Sequence, residues 1–196
     1  MSLFTTTACV ASTLPPLIRG SNAIEAGTSP AKLYGYNNET TDFGLRRMII
    51  DSSGVVTVSS TATSITGFGT DIKYDNGVLY SSTGRAVNPE TGAALGTFTL
   101  VGGSMPAFVP DASVKRIYFV TGTGSSTTLQ AFDQTTFLPV GSLPIPGVSG
   151  SANNLIRWGA NGLAFSYLRE SNLLYPDLSD SAGSADGHVD YRLALP

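Results

Sequence analysis

Short runs of alternating apolar and polar residues fill most of the chain, separated by clusters of Gly, Asn, Asp, Ser and Pro. A period of two sends one set of side chains to each face of a β-strand. The runs are rich in Val, Ile, Tyr, Phe and Thr, which suit a pleated, half-buried surface. No window carries an apolar stripe at i, i+3, i+4 and i+7 bounded by capping residues, so the pattern predicts almost no helix. Asp75-Asn76-Gly77 and Ala160-Asn161-Gly162 predict tight hairpins, because Asn-Gly accepts two successive positive φ angles. Arg116-Ile117-Tyr118-Phe119-Val120 breaks the alternation and is apolar almost throughout, which predicts a strand covered on both faces.

The runs repeat. Leu33-Tyr34, Leu79-Tyr80, Ile117-Tyr118 and the weaker Ala164-Phe165 follow one another at steps of 46, 38 and 47 residues between the aromatics. Before each pair stands another strand signal: Ala23 to Gly27, Asp71 to Asp75, Ala107 to Asp111 and Leu155 to Gly159. After the first three come turns at Asp51-Ser52-Ser53-Gly54, Asn88-Pro89-Glu90-Thr91-Gly92 and Asp133-Gln134-Thr135-Thr136, then a closing run at Val55 to Ser59, Ala94 to Leu100 and Leu138 to Ile145. Ala23 to Asn37 aligns with Ala107 to Thr121 without a gap. Four strands in about 40 to 50 residues is the period of a β-propeller blade. The expected fold is therefore all-β, a propeller of four units of four antiparallel strands at 21–62, 70–101, 105–148 and 152–176.

Asn88 to Gly96 and Ala131 to Gly141, each a turn followed by a closing strand, resemble the YVTN and quinoprotein-like propeller repeats of bacterial surface proteins. The resemblance covers residues 12 to 176 and implies the fold together with a surface or extracytoplasmic setting. It implies no particular chemistry, because one fold serves enzymes and binders alike. The fourth unit shows only three strand signals, the last at Asn172 to Tyr175. Residues 12–18 resemble Ser142 to Val148 and read as an outermost strand. They either complete the fourth blade within one chain or belong to a larger ring, in which this chain supplies half and a homodimer the whole. Residues 177–196 depart from the repeat and read as a terminal tail; a calcium loop on Asp177, Asp180, Asp186 and Asp190 does not have the spacing of the twelve-residue Ca loop.

Composition narrows the function. Of 196 residues 13% are charged and 41% apolar, the net charge is −3, and Ser and Thr together number 45. The few Lys and Arg are scattered, which excludes the basic stripe of a nucleic-acid binder. No stretch has the length and apolar character of a membrane span, and the first residues have no signal-peptide pattern. Cys9 and His188, the only residues of their types, stand near opposite ends, so neither a zinc site nor a Cys–His or Ser–His–Asp arrangement is expected.

Asp51, Asn88 and Asp133 occupy the same place in successive turns and read as turn-forming side chains, and Asp75 and Asp111, ending first strands, read likewise. Glu39 and Asp42 lie in a longer loop, a place where rigid scaffolds carry binding groups. The third position of the first-strand motif holds Glu25, Lys73, Val109 and Arg157. First strands line a propeller's central channel, so Glu25, Lys73 and Arg157, with Trp158 beside them, are the candidate binding residues at the channel mouth. Pairing of Glu25 with Lys73 or Arg157 is the structural alternative. No catalytic residue, metal or cofactor is expected. The sequence thus reads as a non-enzymatic binding or structural module for a protein or glycan ligand. The alternatives are a propeller enzyme with its site at the channel mouth and a half-ring that functions only as a dimer.

Overall fold

The computed structural model describes residues 21–63, 65–103, 106–123, 126–148, 151–159, 162–168 and 188–194. These residues form fifteen strands in four antiparallel sheets and no helix. The first sheet holds β1 (Ala23–Ala26), β2 (Lys32–Tyr36), β3 (Gly44–Asp51) and β4 (Gly54–Ala62) in that spatial order. The second holds β5 (Ile72–Asp75), β6 (Val78–Ser81), β7 (Arg85–Val87) and β8 (Ala94–Thr97). The third holds β9 (Ala107–Asp111), β10 (Arg116–Thr123), β11 (Ser126–Asp133) and β12 (Pro139–Ile145). The fourth holds β13 (Ser151–Trp158), β14 (Gly162–Leu168) and β15 (His188–Ala194).

Local chemistry places the hairpins. Asn76 and Gly77 adopt φ of 44° and 87° and join β5 to β6, as a two-residue turn matched to strand twist requires. Asp51, Asn88, Asp111 and Asp133 each accept backbone N–H bonds from residues two or three further on, so four side chains stabilise four turns. The recurring aromatics sit on second strands, and Tyr34, Tyr80 and Tyr118 stand directly opposite Glu25, Lys73 and Val109 of the first strands.

Successive sheets meet face to face. Three separate cores result, each shared by neighbouring sheets. Tyr34, Tyr36 and Leu45 meet Ile72, Leu79 and Val87 between the first and second sheets. Tyr80, Ala86 and Phe98 meet Phe108, Ile117, Phe119 and Phe132 between the second and third. Tyr118, Val120, Leu129 and Ile145 meet Ala152, Leu155, Leu163, Phe165 and Tyr167 between the third and fourth. β10 explains its apolar run: Ile117 and Phe119 enter one core, Tyr118 and Val120 the other. At Gly96 a Cβ would overlap the Phe137 ring, so a glycine is needed where that ring closes the second core.

The fourth sheet corrects one expectation. Its third described strand is β15, from the segment set apart as a tail, and it pairs with β14 from Gly162↔Ala194 to Leu168↔His188. The signal was present: Val189, Tyr191 and Leu193 alternate with polar residues, but a stretch rich in Asp, Gly and Ser precedes them and obscures the strand. The expected strand at Asn172 to Tyr175, the outer strand at 12–18 and the four aspartates of the calcium reading lie outside the described residues, Asp190 excepted, which is on β15. The first strands are neighbours in the order β1, β5, β9, β13.

Candidate functional site

The C-terminal ends of β5, β9 and β13 border an open cleft of about 500 Å³, lined by Asp75, Pro110, Asp111, Ala112, Ser113, Arg157 and Gly159. Asp75 Oδ2 accepts the Ala112 N–H at 2.7 Å, across the gap from the second sheet to the third. Asp111 Oδ1 accepts the Ser113 N–H at 3.0 Å, while Oδ2 meets Arg157 Nε at 2.7 Å. Arg157 also donates to the Gly162 carbonyl at 3.2 Å and lies over the Tyr118 ring. Its guanidinium is thus oriented by a carboxylate, a carbonyl and an aromatic face, a fixed planar donor at the cleft wall.

Of the candidates from the first-strand register, Glu25, Lys73 and Trp158 are not among the residues lining this cleft. Arg157 alone lines the cleft. Glu25 accepts the Tyr74 N–H at 3.2 Å, and burial pushes its carboxyl up from its ordinary value, opposed by that N–H and by the Lys73 ammonium. Lys73 donates to the Leu155 carbonyl at 3.3 Å and lies over the Phe108 ring, so it spans from the second sheet to the fourth past the third. Trp158 is about half exposed and, by strand alternation, lies on the face of β13 opposite to Arg157. Arg157 pairs with Asp111, an acid that had been read only as a turn former.

Three acids near the ends of first strands act alike. Glu25 reaches a backbone N–H of the second sheet, Asp75 one of the third, and Asp111 the guanidinium of the fourth. Each therefore ties its own sheet to the next. The signal was an acid near the end of three successive first-strand motifs, but only the angle between sheets reveals the target.

A fourth acid does similar work further out. Glu90, in the turn before β8, accepts from Tyr34 Oη at 2.6 Å and Lys32 Nζ at 2.9 Å, and its other oxygen meets Arg47 Nη1 at 2.7 Å. Hydrogen bonds from the Tyr34 hydroxyl and the Lys32 ammonium hold its carboxyl down to about 2. The long loop before β3 is turned inward on itself: buried Asn37 accepts the N–H groups of Glu39 and Thr40, and Asp42 pairs with Arg46 at 2.7 Å. Asp42 is thus engaged locally, while Glu39 joins these contacts through its backbone N–H and has an exposed side chain. Among the described residues no group of three or more His, Cys, Asp or Glu side chains could hold a metal, and no helix is long and apolar enough to cross a membrane.

No family model matches the chain, and no curated protein matches it. Solved structures do. Hydrazine synthase of Kuenenia stuttgartiensis superposes with a TM-score of 0.62 at 13% identity, over 88% of this chain and 53% of that one. The fold is a β-propeller. A 6-phosphogluconolactonase-like protein of Bacteroides fragilis gives a TM-score of 0.45 at 13% identity, over 86% of this chain and 56% of its own. Another, from Bacteroides uniformis, gives 0.45 at 14% identity, over 74% and 53%. The chain spans about half the length of the structures it matches. Its four sheets are blades, and β1, β5, β9 and β13 are their innermost strands.

Proposed function

We propose that this propeller is a non-enzymatic binding module that takes a hydroxyl-rich ligand, such as an uncharged glycan, at the cleft between blades two, three and four. The observation that carries the reading is the cleft itself. Its volume of about 500 Å³ is that of a small-ligand pocket, and two carboxylates and a guanidinium face it from rigid strand ends. Fixed carboxylates accept hydroxyl protons and a fixed guanidinium donates to hydroxyl oxygens. Asp111 and Arg157 neutralise each other, which favours a neutral polar ligand over a strongly charged one. Both carboxylates already accept backbone N–H bonds, an arrangement suited to recognition rather than to proton transfer.

An extracytoplasmic or surface setting is part of the same proposal, as is kinship with the YVTN and quinoprotein-like repeats. The low charge, the 45 Ser and Thr residues and the turn-plus-strand stretches at Asn88 to Gly96 and Ala131 to Gly141 support them. The test is a panel of uncharged oligosaccharides screened against the full chain by calorimetry, with Arg157→Ala and Asp75→Asn as variants. The expected outcome is a binder whose affinity falls at least tenfold in both variants while thermal unfolding shows them folded. No binding across the panel, or affinity unchanged in both variants, overturns the reading.

A further inference from the structure

The outer strand of a blade is a sheet edge, and an unpaired edge offers its row of backbone N–H and C=O groups to any strand that meets it. In blades two and three that edge is blunted: β8 is four residues long, and β12 carries Pro139 and Pro144, which have no N–H. In blade one it is not. β4 runs nine residues, Gly54–Ala62, without a charge or a proline, and no described strand pairs with its outer side. Its one irregularity is a bulge at Val58, past the regular ladder from Gly54 to Thr57. Aliphatic side chains flank that ladder on both faces: Ile49 stands opposite Val56 and Ile50 opposite Val55, and all four are 39% to 43% exposed. Blade two leaves its side open because β7 and β8 have three and four residues, against eight and nine in β3 and β4. The backbone is poised as well. The Ile50 N–H bonds the Ala31 carbonyl at 2.8 Å, toward the second strand. Ile50 and Val55 are therefore a pair without mutual hydrogen bonds, so Val55 turns its N–H and C=O outward, and Thr57, two residues on, does the same.

We propose that β4 pairs with β4 of a second copy of this chain, antiparallel about a two-fold axis, with Val56 opposite Val56. The strand is its own complement in this register. Val55 and Thr57 of each copy exchange N–H···O=C bonds with Thr57 and Val55 of the other, which uses the groups that point outward. On one face Ile49 and Val56 continue into Val56 and Ile49 of the second copy, a row of four aliphatic side chains. On the other, Ile50 and Val55 continue into Thr57 and Met48. β4 holds no charge, so no charge of that strand meets its like across the join. Area sets the strength. Five paired residues rising about 3.3 Å each, in a sheet about 10 Å thick, hide roughly 350 Å² over the two copies. That is far below a permanent dimer, so the pair is a weak one whose population follows concentration. Antiparallel pairing also inverts one copy against the other, so the two clefts open toward opposite sides of the pair. The pairing does not depend on what the clefts hold.

The register makes this testable on the full chain. Sedimentation equilibrium is expected to show the mass rising toward twice the chain mass, with a dissociation constant between about 100 μM and 1 mM. Residues opposed in a pair without mutual hydrogen bonds have Cα atoms about 4.5 Å apart, within reach of a disulfide. Val56→Cys in a Cys9→Ser background is therefore expected to give disulfide-linked dimer on mild oxidation, and Val55→Cys, whose copies are offset along the strand, at least tenfold less. Val56→Lys and Val56→Glu set like charges opposite each other, so each alone is expected to stay monomeric and an equal mixture to pair. A chain that is monomeric up to about 2 mM overturns the proposal, whether or not it binds phosphatidylcholine vesicles through the same aliphatic residues. So does a Val56→Cys form that links no better than Val55→Cys. So does a Lys and Glu mixture that pairs no more than either variant alone.

Discussion

The seam between blades one and two and the seam between blades two and three solve one packing problem with different materials. The second is dominated by aromatic rings: Phe108 stacks on Phe119 at 5.5 Å between ring centroids, Phe132 meets Phe119 edge-on at 5.8 Å, and Phe98 touches both Phe119 and Phe132. The first has an apolar centre around Tyr36, Leu45 and Ile72, with a polar rim where Glu90 gathers Lys32, Tyr34 and Arg47. An aromatic seam draws on area and dispersion, which pH leaves unchanged. A rim of ion pairs draws on charge, which salt screens and acid removes. The difference is a prediction about which seam fails under which condition.

The largest effect is expected from Phe119→Ala, which removes the central ring of the aromatic seam and leaves a cavity. It is expected to cost about 3–5 kcal/mol. Urea unfolding checks this, and the loss is expected to be the same at pH 7 and pH 4. Glu90→Gln is expected to cost about 1 kcal/mol, since the carboxylate is partly exposed and solvent screens its pairs. Its signature is pH. The folded-state value is depressed from the ordinary 4.5 to about 2, so the stabilisation is present above 4.5 and is lost as pH falls between those limits. The gap between wild type and Glu90→Gln therefore closes in acid, and it narrows in 1 M salt; a gap independent of both breaks the comparison.

The smallest effect is expected at Glu25, and its sign is opposite. Burial raises its folded-state value, so its contribution is fully present below the ordinary 4.5 and is lost as pH rises through the raised value. Glu25→Gln is thus expected to leave stability at pH 7 unchanged or slightly higher, by thermal unfolding. A clear loss at pH 7 would mean that the bond to Tyr74 outweighs the cost of burial.

The elements that were legible in the sequence were those fixed by neighbours in the chain. Asn76-Gly77, Asp51, Asn88 and the turn-forming oxygen of Asp133 act within a few residues of themselves, and β10 announces two covered faces by its composition. What hid from the sequence was anything decided by the angle between blades. Glu90 reaches partners more than 40 residues away, and no local pattern marks it. Glu25, Lys73 and Arg157 share one register in the repeat, yet their partners differ because each faces a different neighbouring blade. β15 was missed for another reason: the strand returns after an intervening stretch whose composition signals a loop.

The acids near the ends of the first strands have one further consequence. Glu25, Asp75 and Asp111 each point onward in chain order, so the links between blades have a direction. Among the described residues these acids clasp blades two and three from both sides and blades one and four from one. In an array held by nearest neighbours, opening begins at the ends and travels inward. The amide protons of β6 and β10 then exchange with solvent last, and a synthesised chain gains its first clasp when β5 has emerged beside β1.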